Sequence, residues 1–177
     1  IEIKKEIANA ITHGIGLITF ITLIPILFVK ASHYEVNYRI VGLIFFSIGL
    51  IMVYASSTIY HAVMHKKAKY ILRIADHISI YYLIAGSYTA ILMTSIPFEK
   101  IQMFIIILWS IVLIGTIKKL FLTGKYDTIS TIIYVFMGCM GLFEIKTIME
   151  FNSGKVLLFL LLGGLFYLLG VIFYSWK

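Results

Sequence analysis

The sequence predicts an all-α protein, a polytopic bundle of transmembrane helices. Of its 177 residues, 61% are hydrophobic and 13% are charged, and the mean hydropathy is +1.01. A soluble domain is closer to half apolar and a quarter charged, so a bilayer is the expected solvent. The apolar runs are continuous rather than alternating, which excludes a transmembrane β-barrel.

Six apolar runs qualify, or nearly qualify, as membrane spans, which need about 20 mostly apolar residues. They cover residues 13–29, 40–62, 77–95, 101–122, 129–149 and 156–176. Turn and capping residues separate the later runs, namely Pro97, Asp127 with Thr128, and Asn152-Ser153-Gly154. No soluble domain, linker or repeat interrupts the pattern. We therefore expect one integral membrane domain over residues 1–177.

The net charge of +7 indicates an orientation and not a nucleic-acid partner. The basic residues lie in short connectors, whereas a DNA-binding protein carries them as a stripe. One set of connectors holds ten Lys and Arg residues and the opposite set holds five. Cytoplasmic loops carry the basic excess, so we expect a cytoplasmic N-terminus and a cytoplasmic 62–76 loop.

Titratable residues are concentrated in "SSTIYHAVMHKKAKYILRIADH", residues 56–77, between two apolar runs. His61 ends the second run and Asp76 begins the third, so both should lie near one membrane surface. Ser57 precedes His61 by four residues and shares its helical face. An ionisable residue in a membrane segment is expensive, about 2.5–3.5 kcal/mol for a central Asp, and often marks a functional site.

The first run begins with a second polar set at the same end of the bundle. Glu6, Asn9 and His13 share one helical face. Imidazole and carboxylate groups are zinc ligands, and a catalytic zinc takes three of them plus a water. A Ser-His-Asp triad is the weaker alternative, because a serine four residues before a histidine on one helix has no exposed elbow. Interfacial or capping roles also stay open for these residues.

Several other polar or small residues have plainer interpretations. His65 lies among lysines and is typical of an interfacial residue. His77 is turned about 100° from Asp76 on a helix, which favours a structural role. The glycine-rich segments "MGCMG" and "GGLFYLLG" predict close helix packing. The single Cys139 excludes an intramolecular disulfide and a CxxC metal site.

Five motifs carry a family resemblance: "EIANAITHGIG" (6–16), "SSTIYHA" (56–62), "DHISIYYLIAGSYTA" (76–90), "LFLTGKYDTISTIIYVFMG" (120–138) and "GGLFYLLGVIFY" (163–174). Through them the chain resembles the hemolysin III family, the bacterial branch of the progestin and adipoQ receptor superfamily, over nearly its whole length. The resemblance implies a seven-helix bundle in the bacterial plasma membrane, with a zinc ion near the cytoplasmic face.

The resemblance also implies roles for individual residues. His61 would be a zinc ligand, and Ser57 and Asp76 would hold the zinc-bound water, with Asp76 also able to meet the metal. Glu6, Asn9 and His13 match the first motif as accessory residues. The family supplies two further histidine ligands as H-x-x-x-H on a seventh helix. These 177 residues contain no such segment, so we expect the last helix to lie beyond them.

Three functions remain open after the resemblance. The first is a zinc-dependent hydrolase of a lipid amide, ceramidase-like, acting among membrane lipids. The second is a membrane-lytic, pore-forming hemolysin. A pore needs polar residues along a whole helix face, and here they collect at one end, which disfavours a monomeric pore but not an oligomeric one. The third is a zinc-containing receptor or sensor of membrane state.

Overall fold

A computed structural model describes residues 2–33, 37–125 and 127–175, and within these ranges every regular element is helical. The helices are α1 (Glu2–Ser32), α2 (Asn37–Ala62), α3 (Lys66–Ser95), α4 (Phe98–Leu122), α5 (Asp127–Cys139), α6 (Ile145–Phe151) and α7 (Gly154–Ser175). A 3₁₀ turn, Met140–Leu142, separates α5 from α6. The predicted all-α class is confirmed.

Five helices, α1 to α4 and α7, are each long and apolar enough to cross a membrane. A sixth span forms if α5, the 3₁₀ turn and α6 cross together, although they are bent by 49° at the break. The prediction of a multi-pass bundle is confirmed. The predicted run 129–149 is therefore bent rather than straight. Helices α1 and α3 also begin well before their apolar runs, because a helix tolerates charged residues that a hydropathy pattern rejects.

The side chain of Tyr88 on α3 pairs the backbone where α5 passes into the 3₁₀ turn. Its hydroxyl donates to the carbonyl oxygen of Gly138 at 2.5 Å and accepts from the backbone N–H of Gly141 at 3.0 Å. Unpaired backbone groups are costly in an apolar layer, and this tyrosine pairs two of them. A Cβ at Gly138 or Gly141 would also collide with a tyrosine ring. The prediction that "MGCMG" packs closely is confirmed.

Glycines bring α2 and α3 into backbone contact. A Cβ built at Gly86 would lie 2.6 Å from the carbonyl oxygen of Phe45, and one built at Gly49 would lie 2.8 Å from Cα of Leu83. Small residues at such positions let membrane helices approach closely, where dispersion contacts are strong. This close approach sets the polar end of α2 directly beside the polar end of α3.

Helix α3 lies at the centre of the bundle, where α2, α4 and α5 pack against it. Its Tyr81 and Leu92 are almost completely buried, together with Ile101 and Leu108 of α4 and Met137 of α5. Helix α1 packs against α2, and α7 packs against α5 and α6. A charged residue on α3 therefore has neighbours on both sides, which matters for the site below.

Candidate functional site

The carboxylate of Glu6 joins α1 to both α2 and α3. Its Oε2 atom lies 2.9 Å from Nδ1 of His61 and 2.7 Å from Nζ of Lys69. The three side chains are only 26%, 17% and 24% exposed, respectively. A partly buried carboxylate that accepts from two donors holds both in position. The N-terminal polar set thus contacts the end of α2, as the sequence predicts.

This contact determines how the ring of His61 presents itself. An ionised carboxylate only accepts hydrogen bonds, so Nδ1 of His61 carries the proton that points to Glu6. In the neutral ring, Nε2 then keeps its lone pair. Histidines that bind metals usually donate their other ring N–H to a carboxylate or carbonyl in this way. His61 is therefore oriented and polarised as a ligand would be.

His13 lies beside His61, and their ring centroids are 5.9 Å apart. The Nδ1 atom of His13 is buried and has no hydrogen-bond partner among the described residues. Leaving a buried polar atom unsatisfied costs about 1–3 kcal/mol, so a native example calls for an explanation. A ligand bound to Nδ1 of His13 would provide one.

Two polar links fasten α2 to α3 beside these histidines. Ser57 is 3% exposed and lies beside the carboxyl group of Asp76, with His61 and His13 also close to that carboxyl group. One helical turn further along α3, Ser79 Oγ lies 3.2 Å from Ser56 Oγ and donates to the backbone carbonyl of Asp76 at 2.6 Å. The backbone carbonyl of Asp76 is therefore paired, and a polar contact joins α2 to α3 at this level.

The structure thus groups most of the predicted site residues, brought from three helices, namely Glu6, His13, Ser57, His61 and Asp76. Asn9 is exposed, and its side chain makes no hydrogen bond within the described ranges. Among the described residues, no three His, Cys, Asp or Glu side chains form a group that could hold a metal ion. The donor types suit zinc, but they do not form a complete shell of ligands here.

The sequence of this bundle matches the family described as "Haemolysin-III related" over residues 1–177. The chain belongs to that family. It is 39% identical over 175 residues to the hemolysin-3 homolog of Bacillus subtilis (strain 168), which covers 99% of this chain and 82% of the relative. It is 35% identical over 175 residues to hemolysin-3 of Bacillus cereus, covering 99% and 80%. No solved structure matches it.

This hemolysin-III-related chain contains a second ionic cluster, which the sequence reasoning missed. Lys119 of α4 is 2% exposed, and its Nζ lies 2.8 Å from Oδ1 of Asp127 and 3.0 Å from Nδ1 of His77. Arg73 donates to Oδ2 of the same aspartate at 2.8 Å. The cluster ties α3, α4 and α5 together at one end. The structural role favoured for His77 agrees with this contact.

Lys69 is the other residue of the hemolysin-III-related site that the sequence reasoning missed. A signal for it was available, because Lys66, Lys69 and Arg73 recur at i, i+3 and i+7 and so share one face of α3. The predicted interfacial His65 ends the connector, and its Nδ1 accepts from the N–H of Ala68 at 3.4 Å at the start of α3. Such capping pairs a backbone donor that the helix leaves free.

Proposed function

We propose that this haemolysin-III-related protein is a zinc-dependent hydrolase of a lipid amide, with its site between α1, α2 and α3. The observation that carries the proposal is the contact between Glu6 and Nδ1 of His61 at 2.9 Å. It leaves Nε2 as the atom available to a ligand. The unsatisfied Nδ1 of the neighbouring His13 supports the proposal.

The residues present fit zinc by donor type. His61 would bind it through Nε2, with Asp76 and His13 as the nearest further donors. When bound, zinc supplies a Lewis acid and lowers the pKa of a water to about 7, so that a nucleophile exists at neutral pH. The other donors implied by the resemblance are the two histidines of the H-x-x-x-H segment.

The chain's own groups have separate tasks in this proposal. Lys69 keeps Glu6 ionised, and Glu6 holds the proton on Nδ1 of His61. Ser57 lies beside Asp76. If Asp76 does not bind the metal directly, its carboxylate would accept the proton of the attacking water and return it to the leaving amine. The acyl chains of the substrate lie between helices, among the lipids of the membrane.

The test measures zinc content and hydrolysis on the same purified full-length protein. Elemental analysis and release of fatty acid from a fluorescent ceramide should both drop to background in His61→Ala. Glu6→Gln keeps the ligand and weakens its orientation, so we expect a loss of about 10–100-fold in affinity or activity.

His65→Ala is the matched control, because it removes an exposed imidazole four residues away and should change neither value. Full-length protein without zinc, or His61→Ala with undiminished zinc, would refute the metal assignment. Zinc without turnover of any lipid amide would favour a zinc-containing receptor or sensor instead.

A membrane-lytic function is the second candidate, since the Bacillus cereus relative is named hemolysin-3. Release of a dye from lipid vesicles distinguishes the two functions. A lytic protein should release dye as fast with His61→Ala as with the unchanged chain. A hydrolase should release little dye in either form.

A further inference from the structure

A shallow, open cavity of about 270 Å³ lies at the surface between the end of α2 and the first turns of α3. Its lining consists of Tyr60, Met64, Lys66, Lys69, Tyr70 and Arg73. Three of these six residues are cations and none is an anion. A concave site with this lining is suited to an anion.

The charges around the cavity do not balance. Lys69 pairs with Glu6, and Arg73 shares Asp127 with the buried Lys119. Lys66 is exposed and forms no ion pair with any of the described residues. In and next to the cavity there are therefore four cations and two carboxylates, which leaves two positive charges in excess. The cations are Lys66, Lys69, Arg73 and Lys119, and the carboxylates are Glu6 and Asp127. Lys66 is the cation with most freedom to meet a ligand.

The position of the cavity indicates which anion it meets. The two neighbouring candidate spans end at Ala62 and begin at Lys66, so the cavity lies where the apolar layer gives way to water. Met64 and Tyr70 are 57% and 52% exposed and give it an apolar rim. The ring of Tyr60 lies 4.9 Å from Nζ of Lys69. Tyrosines and lysines at this depth are typical of contacts with lipid headgroups.

We propose that this cavity binds the phosphate group of an anionic phospholipid, which Lys66 and Arg73 contact while an acyl chain lies against Met64 and Tyr70. The site is separate from the amide hydrolase proposed above, and it stands if that function is wrong. The cavity nevertheless borders the proposed zinc site, because Lys69 lines the cavity and also contacts Glu6. A bound headgroup would therefore add a negative charge next to the partner of His61.

The test titrates the purified full-length protein, in a neutral detergent, with fluorescent short-chain phosphatidylglycerol. Phosphatidylcholine of the same chain length is the zwitterionic comparison, and we expect it to bind at least fivefold more weakly. A basic residue near an anionic headgroup contributes about 1 kcal/mol, so Lys66→Gln should weaken phosphatidylglycerol binding about fivefold. Lys66→Arg should restore it.

Lys67→Gln is the matched control, because it makes the same charge change one residue away at an exposed position that does not line the cavity. We expect it to weaken binding less than twofold. Equal losses in Lys66→Gln and Lys67→Gln would overturn the site in favour of diffuse surface charge. Equal affinity for both lipids, or full displacement of phosphatidylglycerol by millimolar inorganic phosphate, would overturn the assignment to a phospholipid.

Discussion

Replacing Gly86 by alanine should separate α2 from α3. A Cβ at this position would lie 2.6 Å from the carbonyl oxygen of Phe45 and 3.0 Å from Cα of Phe46. Non-bonded heavy atoms prefer about 3.5–4.0 Å, so the helices would have to move apart by about 1 Å. The atoms in the way belong to the backbone, and no rotation of a side chain relieves the collision.

Two opposing contributions determine how much Gly86→Ala changes the free energy of unfolding. Overpacking costs about 1–3 kcal/mol, and alanine regains about 1 kcal/mol of helix propensity relative to glycine. We expect Gly86→Ala to lower the free energy of unfolding by up to about 2 kcal/mol. A Cβ added at Gly163 on α7 would meet no atom of the described residues within 4 Å, so Gly163→Ala should gain helix propensity alone.

Unfolding of the purified protein by a denaturing detergent, followed by circular dichroism, measures both variants. The difference between them isolates the contact, because both make the same chemical change in a helix. A Gly86→Ala variant as stable as Gly163→Ala would refute the close approach of α2 and α3. Moving α2 away from α3 should also increase the distance between Ser57 and Asp76. Any hydrolytic activity should therefore fall together with stability.

Three further predictions concern charge, orientation and chemistry. Lys119→Met removes a buried partner of Asp127 and should cost about 3 kcal/mol of unfolding free energy. Lys100→Met breaks an exposed ion pair and should cost less than about 1 kcal/mol in the same assay; equal costs would contradict the burial argument. In a cysteine-free variant, cysteines placed at positions 67 and 100 report orientation. An impermeant thiol reagent added to intact cells should label only position 100, and labelling at 67 alone would reverse the orientation. Ser57→Ala should retain hydrolysis reduced about 10–100-fold, whereas an acyl group trapped on Ser57 would make it the nucleophile.

The sequence predicted the spans well because hydropathy is summed over many residues. It predicted that polar residues of three helices meet at one end because ionisable residues are rare in such a chain. It did not predict the bend after α5. Just before the bend, the hydroxyl of Tyr88, about 50 residues earlier in the chain, pairs backbone groups of Gly138 and Gly141 where α5 passes into the 3₁₀ turn. Local pattern carries no information about such a distant partner.

Two glycine-rich segments also show that a local sequence pattern does not identify the partner helix. Both predicted close packing, and "MGCMG" does pack against tyrosine rings. In "GGLFYLLG", by contrast, Gly163, Gly164 and Gly170 have no atom within 4 Å of an added Cβ in the described part of the chain, so close packing there stays a prediction. A small residue permits a close approach, but the partner helix decides whether it occurs.

The sequence also did not predict the ion pair between Lys119 and Asp127. The sequence offered Asp127 as a cap for the fifth helix, and α5 does begin at that residue. Its carboxylate, however, binds two cations from other helices. The proximity of Asp76 and Ser57 was easier to predict, since the connector between α2 and α3 is short and returns the chain to the same level.

The order in which the site residues leave the ribosome has a consequence for biogenesis. Glu6, His61, Lys69 and Asp76 all lie within the first three helices, which end at Ser95. At a synthesis rate of about 5–20 residues per second, these helices are made within roughly 5–20 s. The carboxylate of Glu6 can then enter the membrane already paired with Lys69, before α4 is complete. The charge of Glu6 therefore does not have to wait for a later helix, whereas Arg73 of α3 meets Asp127 only when α5 is made.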